Sequence, residues 1–132
     1  MKVTVDTNVL VRALVRDDPK QAAAADQVLK QATLIAVPLP CLCEMFWVLR
    51  RLYAFEPALI ASAIRALLDT ENVVVNRPAV EAGLALLEAG GDFADGVIAY
   101  EGTWLGGQTF VSFDKKAVAL LKKQGESVQL LA

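Results

Sequence analysis

Hydrophobic and polar positions alternate between two periods along this chain. Val3, Thr4 and Val5 form a short β-branched run that predicts a strand. Val9, Leu10, Ala13 and Leu14 then recur at helical spacing, and this first helix stops near Arg16-Asp17-Asp18. Asp18-Pro19 reads as a cap with proline at the first helical position, opening an Ala-rich helix to about Gln31. Thr33 to Val37 is the second predicted strand, ended by Pro38-Leu39-Pro40. Cys41 to about Leu52 is a strongly apolar helix, and the next starts near Glu56-Pro57 and runs to about Asp69. A third strand is expected over Asn72–Val75, with a helix from Arg77-Pro78 to Gly90-Gly91 and another from Asp92. Thr109–Ser112 predicts a fourth strand. A last helix then reaches Lys123, closed by Gly125, and Val128–Leu131 predicts a fifth, edge strand.

Strands that alternate with helices imply βαβ units. The expected fold class is therefore α/β, a single domain over residues 1–132 with a central, mostly parallel sheet of four to five strands and helices on both faces. No repeat, linker or low-complexity tract interrupts it. At 55% hydrophobic, the 132 residues suffice for one sizeable core. Charges break the apolar runs well before the ~20 residues of a membrane helix. Asp6 also arrives too early for a secretory leader. A soluble, cytoplasmic protein is the expectation, with no membrane partner.

The chain has no histidine. That excludes Ser-His-Asp and Cys-His engines and ribonucleases built on paired histidines. Cys41 and Cys43 are the only cysteines, too few for a closed zinc site, and are expected as reduced thiols. Any hydrolysis must run on carboxylates, lysine or a metal. A formal net charge of −2 gives no general attraction to nucleic acid, though a local basic rim remains compatible with it.

The acids fall at places where chemistry is done. Asp6 ends the first strand, and ligands of open α/β sheets sit outside the carboxyl ends of strands. Asp114 follows the fourth strand. If those strands are neighbours, both carboxylates emerge at one sheet edge. Asp92 and Asp95 share a face at a helix start, and Glu44 is expected in the first turn of its apolar helix. Each also has a plainer role as a cap or an acid favoured by the helix dipole. Clustered carboxylates repel: two charges about 4 Å apart cost about 4 kcal/mol at an effective dielectric near ~20. Protons or a hard divalent cation, Mg²⁺ or Mn²⁺, relieve that.

Taken together, Asp6-Thr7-Asn8-Val9-Leu10 after a strand, Glu44 followed by Trp47-Val48-Leu49, Asp92-Phe93-Ala94-Asp95-Gly96-Val97-Ile98-Ala99, and Ser112-Phe113-Asp114 resemble the PIN-domain nucleases. The nearest likeness is to VapC-type toxins of prokaryotic toxin–antitoxin pairs, and it covers essentially the whole chain. The resemblance implies a Mg²⁺- or Mn²⁺-dependent endoribonuclease whose metal-binding, catalytic acids are Asp6, Glu44, Asp95 and Asp114. Asp92 is a supporting acid, and Thr7, Asn8 and Ser112 stand where the family carries polar helpers. It further implies an RNA substrate, a homodimer and a silencing antitoxin protein. Arg12, Arg16, Arg50, Arg51, Lys115 and Lys116 are candidates for phosphate contacts, each equally readable as solvated surface. Gly96 stands where the family more often has alanine, and is expected to loosen its helical turn by ~1 kcal/mol of propensity.

Two other phosphoryl-transfer classes are less well matched. A haloacid-dehalogenase phosphatase needs a second Asp two residues after the first, where Asn8 stands, and a phospho-receiver expects an adjacent acidic pair near the first strand. A PIN-like RNA-binding or scaffold domain without catalysis is the alternative of another class. Such domains usually lack one or more acids, and all four are present here.

Overall fold

The computed structural model describes all residues 1–132, in two compact units, Met1–Asn76 and Arg77–Ala132. The first holds β1 (Lys2–Thr4), α1 (Thr7–Val15), α2 (Pro19–Gln31), β2 (Leu34–Ala36), α3 (Leu39–Arg51), α4 (Pro57–Leu68) and β3 (Val73–Val74). Its sheet has the order β1-β2-β3 and is parallel throughout, with Val3 opposite Ile35 and Ile35 opposite Val73. Parallel pairing forces crossovers, which α1–α2 and α3–α4 supply. α1 packs against α2 and α3, and α3 against α4. Leu10, Leu42, Met45, Leu49, Ile60 and Ile64 are buried at the spacings that the helical pattern predicted.

The second unit holds α5 (Arg77–Glu88), α6 (Phe93–Trp104), β4 (Phe110–Ser112), α7 (Lys115–Lys123) and β5 (Val128–Leu130). β4 and β5 pair in parallel, with Val111 opposite Gln129, and α7 crosses between them. Gly91 N donates to Leu86 O at 2.8 Å in the turn that folds α6 back onto α5.

The α/β class and the parallel pairing agree with the sequence. The single sheet of four to five strands does not form as one ladder. Five strands are present, divided into sheets of three and two. Within its own sheet β1 is hydrogen-bonded to β2, and β4 to β5. These strands have only two or three residues, so each ladder is a few bonds long.

α3 also begins earlier than expected. Pro38 is its N-cap and Pro40 lies within its first turn, where a missing N–H costs nothing. Glu44 is therefore the sixth residue of α3 and not in the first turn. No helix is long and apolar enough to cross a membrane.

Candidate active site

In the first unit, Asp6 is the N-cap of α1. Its backbone is extended (φ −85°, ψ 163°), and its Oδ1 accepts the Thr7 amide at 2.8 Å. The residue is exposed and has no ion-pair partner. Thr7 is the sole buried polar residue of the chain. Its hydroxyl is hydrogen-bonded to the Cys41 thiol at the start of α3.

Glu44 follows Cys41 by three residues, so the two share a helix face. Asp6, Thr7, Cys41 and Glu44, with Thr4, Val5, Pro38 and Pro40, line one open cleft of about 380 Å³. Burial pushes the Cys41 thiol up from its ordinary value, and the negative fields of Asp6 and Glu44 add to this, against the Thr7 bond. Both cysteines are reduced.

In the second unit three acids gather around two helix starts. Asp92 caps α6, its Oδ1 accepting the Ala94 amide at 2.8 Å. Asp95 lies in that helix's first turn. Asp114 caps α7, its Oδ1 accepting the Ala117 amide at 3.0 Å. The Asp114 amide in turn donates to Ser112 Oγ at 2.9 Å, so Ser112 sets the backbone that presents this carboxylate. Burial, then the negative charges of Asp92 and Asp114, hold the Asp95 carboxyl above its ordinary value.

The plainer role of these acids is thus realised: Asp6, Asp92 and Asp114 are caps. Capping and ligation are compatible, because a carboxylate has two oxygens and each cap uses Oδ1. The donor set is all hard oxygen, the kind that Mg²⁺ or Mn²⁺ takes, and the uncompensated repulsion around Asp95 is what a cation relieves. Within neither unit do three acidic or thiol side chains converge into a ready-made ion site.

The cations suggested for phosphate contacts divide into two groups. Arg12 is engaged, with Nη1 3.0 Å from Asp17 Oδ1 and 3.3 Å from Tyr53 Oη, while Tyr53 donates to Asp17 Oδ2 at 3.0 Å. Arg16 pairs with Asp26 at 2.8 Å, and Arg50 donates to Phe55 O at 3.3 Å. Arg51, Lys115 and Lys116 are exposed, Lys115 directly following the Asp114 cap.

Sequence reasoning missed the Thr7–Cys41 bond and the Arg12–Asp17–Tyr53 cluster. A threonine buried at a helix start was a signal for the first. The second joins residues 36 positions apart and had none.

Gly96 has a packing role beside its lower helix propensity: a Cβ there would stand 2.5 Å from Ala82 O and 2.8 Å from Gly83 Cα, because α6 lies directly on α5.

The chain thus pairs its strands in parallel, carries carboxylates at the starts of three helices and has no histidine. Residues 3–120 match the PIN domain family, and the chain belongs to it. That family is generally one of metal-dependent nucleases. Among curated proteins none matches the chain.

Proposed function

We propose that this chain is a metal-dependent endoribonuclease, with Asp6, Glu44, Asp95 and Asp114 as its metal-holding acids and Asp92 in support. One observation carries the reading. Arg12 pairs with Asp17 and Arg16 with Asp26, yet none of these five acids has a basic partner. At Asp95 the negative charges of Asp92 and Asp114 meet no cation of the protein, which keeps a demand for positive charge at an acid that the family resemblance assigns to the ion.

When bound, Mg²⁺ or Mn²⁺ supplies charge that lowers the pKa of water and offsets charge developing on a phosphoryl group. The chain's own residues do the rest. Asp6 and Asp114, each held at Oδ1 by a backbone amide, keep Oδ2 for that duty. Thr7 fixes Asp6 through its amide, and Ser112 fixes the backbone at Asp114. Asn8 is exposed in the first turn of α1 and does not line the cleft of Asp6, Thr7 and Glu44. A carboxylate of the set takes the proton of the attacking water as the water oxygen bonds to phosphorus, the ester P–O bond breaks, and the leaving oxygen takes up a proton from solvent.

The resemblance to VapC-type proteins supports a further assignment: a cytoplasmic toxin of a type II pair, held silent by an antitoxin protein and working as a homodimer. Exposed Trp47 and Leu52 supply apolar surface of the kind that a subunit contact covers.

The test incubates the purified chain, freed of any bound protein, with structured RNAs in Mn²⁺ or Mg²⁺ against EDTA, with Asp6→Asn alongside. Cutting that needs metal and vanishes in the variant is the expected result. A non-catalytic RNA-binding or scaffold role is the second reading, favoured by the absence of three converging ligands within either unit. Absence of both cutting and Mn²⁺ binding by calorimetry would establish it.

A further inference from the structure

A second cleft, of about 440 Å³, lies between α1 and α2, lined by Asn8, Val9, Arg12, Gln21, Ala24, Ala25 and Val28. Its size falls within the ~300–1,000 Å³ of small-molecule sites. Two helix faces build it. Asn8 and Arg12 are four apart on α1, and Gln21, Ala24, Ala25 and Val28 follow the i, i+3, i+4, i+7 spacing of one face of α2. Alanines on α2 make the floor low and apolar, while three flat polar groups stand around it.

Those three groups are differently prepared. Arg12 is pinned by Asp17 and Tyr53, and its charge is matched by Asp17. What it has left to offer is a pre-ordered planar face. The side-chain amides of Asn8 and Gln21 are spent on no other protein group, and each carries both donors and an acceptor. Gln21 is also held by its backbone, whose amide donates to Asp18 Oδ1 at 3.1 Å. Asn8 stands two residues from Asp6, on the same helix start.

We infer that this cleft is a subsite for one unpaired nucleobase of an RNA, stacked against the Arg12 guanidinium and hydrogen-bonded at its edge by Asn8 and Gln21. Sequence-selective proteins recognise RNA by splaying single-stranded bases onto aromatic or guanidinium planes and hydrogen-bonding their edges. A phosphate would need unmatched positive charge, which Arg12 does not have. The inference rests on the ribonuclease reading and supplies its base selectivity, a property that the acids by themselves do not confer.

The test is made in EDTA, where no cleavage occurs. Amide shifts of the ¹⁵N-labelled chain are followed on titration with AMP, GMP, CMP and UMP, with ribose 5-phosphate as control. Saturable shifts at Asn8, Gln21, Ala24 and Val28 that differ among the four bases are expected. Filling the floor with Ala24→Leu, at an exposed position, should weaken binding about tenfold, and Gln21→Ala should change the order of the bases. Equal shifts from ribose 5-phosphate would mean a phosphate site. Shifts elsewhere, or binding untouched by Ala24→Leu, would also overturn the proposal. Base-dependent shifts from a chain that cuts no RNA would keep the subsite and remove the nuclease; cutting without such shifts would do the reverse.

Discussion

Asp6 accepts the amide of Thr7 on Oδ1 at 2.8 Å, so a single carboxylate serves as a helix cap and as a candidate metal ligand. The two duties separate on substitution. Asp6→Asn keeps a capping oxygen and removes the charge. Its stability should change by less than about 1 kcal/mol, while RNA cleavage falls by at least about 100-fold. Denaturant melts beside cleavage rates check this, and an equally active variant would remove Asp6 from the site.

Asp114 allows the converse comparison. Asp114→Ala loses the bond to the Ala117 amide and should cost about 0.5–2 kcal/mol. Asp114→Asn should restore most of that stability without restoring cleavage. If Asn recovered activity as well, Asp114 would be a cap alone.

Gly96→Ala tests the α5–α6 contact. Alanine gains ~1 kcal/mol of helix propensity, but its Cβ would meet Ala82 O at 2.5 Å and the backbone of Gly83 at 2.8 Å. Overpacking against backbone costs about 1–3 kcal/mol, so the steric term wins and a lower midpoint in urea is expected. A more stable variant would show that the helices can part without cost.

The Arg12–Asp17–Tyr53 cluster gives stability a pH dependence. The Tyr53 hydrogen bond foremost, with Arg12, holds the Asp17 carboxyl below its ordinary value of 3.8. A depressed carboxylate stabilises the fold above its unfolded pKa, and that contribution is lost as pH falls through the folded one. Asp17→Asn should therefore lower Tm at pH 7, with the difference from the parent chain shrinking below about pH 4. A difference independent of pH would contradict this.

Cys41 should be slow to react. It is buried, and its thiol is raised, so little thiolate forms near neutral pH. Ellman's reagent at pH 8 should modify half-buried Cys43 first, and both only on unfolding. Prompt reaction of two thiols in the native chain would show that the Thr7–Cys41 contact opens.

What the sequence by itself determined is what depends on near neighbours. The Asp18-Pro19 start of α2 and the turn at Gly125 follow from contacts within one or two helical turns and form where they were expected, as does the apolar stripe of α3, although that helix begins at Leu39. The acids could be named for the same reason, since Asp6, Asp92 and Asp114 each stand at a local change from extended chain to helix.

Only the tertiary structure decided the rest. Strand pairing divides five strands into sheets of three and two, because hydrogen bonds between strands depend on segments 30 or more residues apart in β1 and β2 and on lengths of two or three residues. The role of Gly96 depends on what α5 presents opposite it, and Arg12 is a structural cation because Tyr53, 41 residues away, folds back to meet it. Propensity acts through the chain's own backbone and is legible in order; packing acts through space, and its partners are named only once the chain has closed on itself.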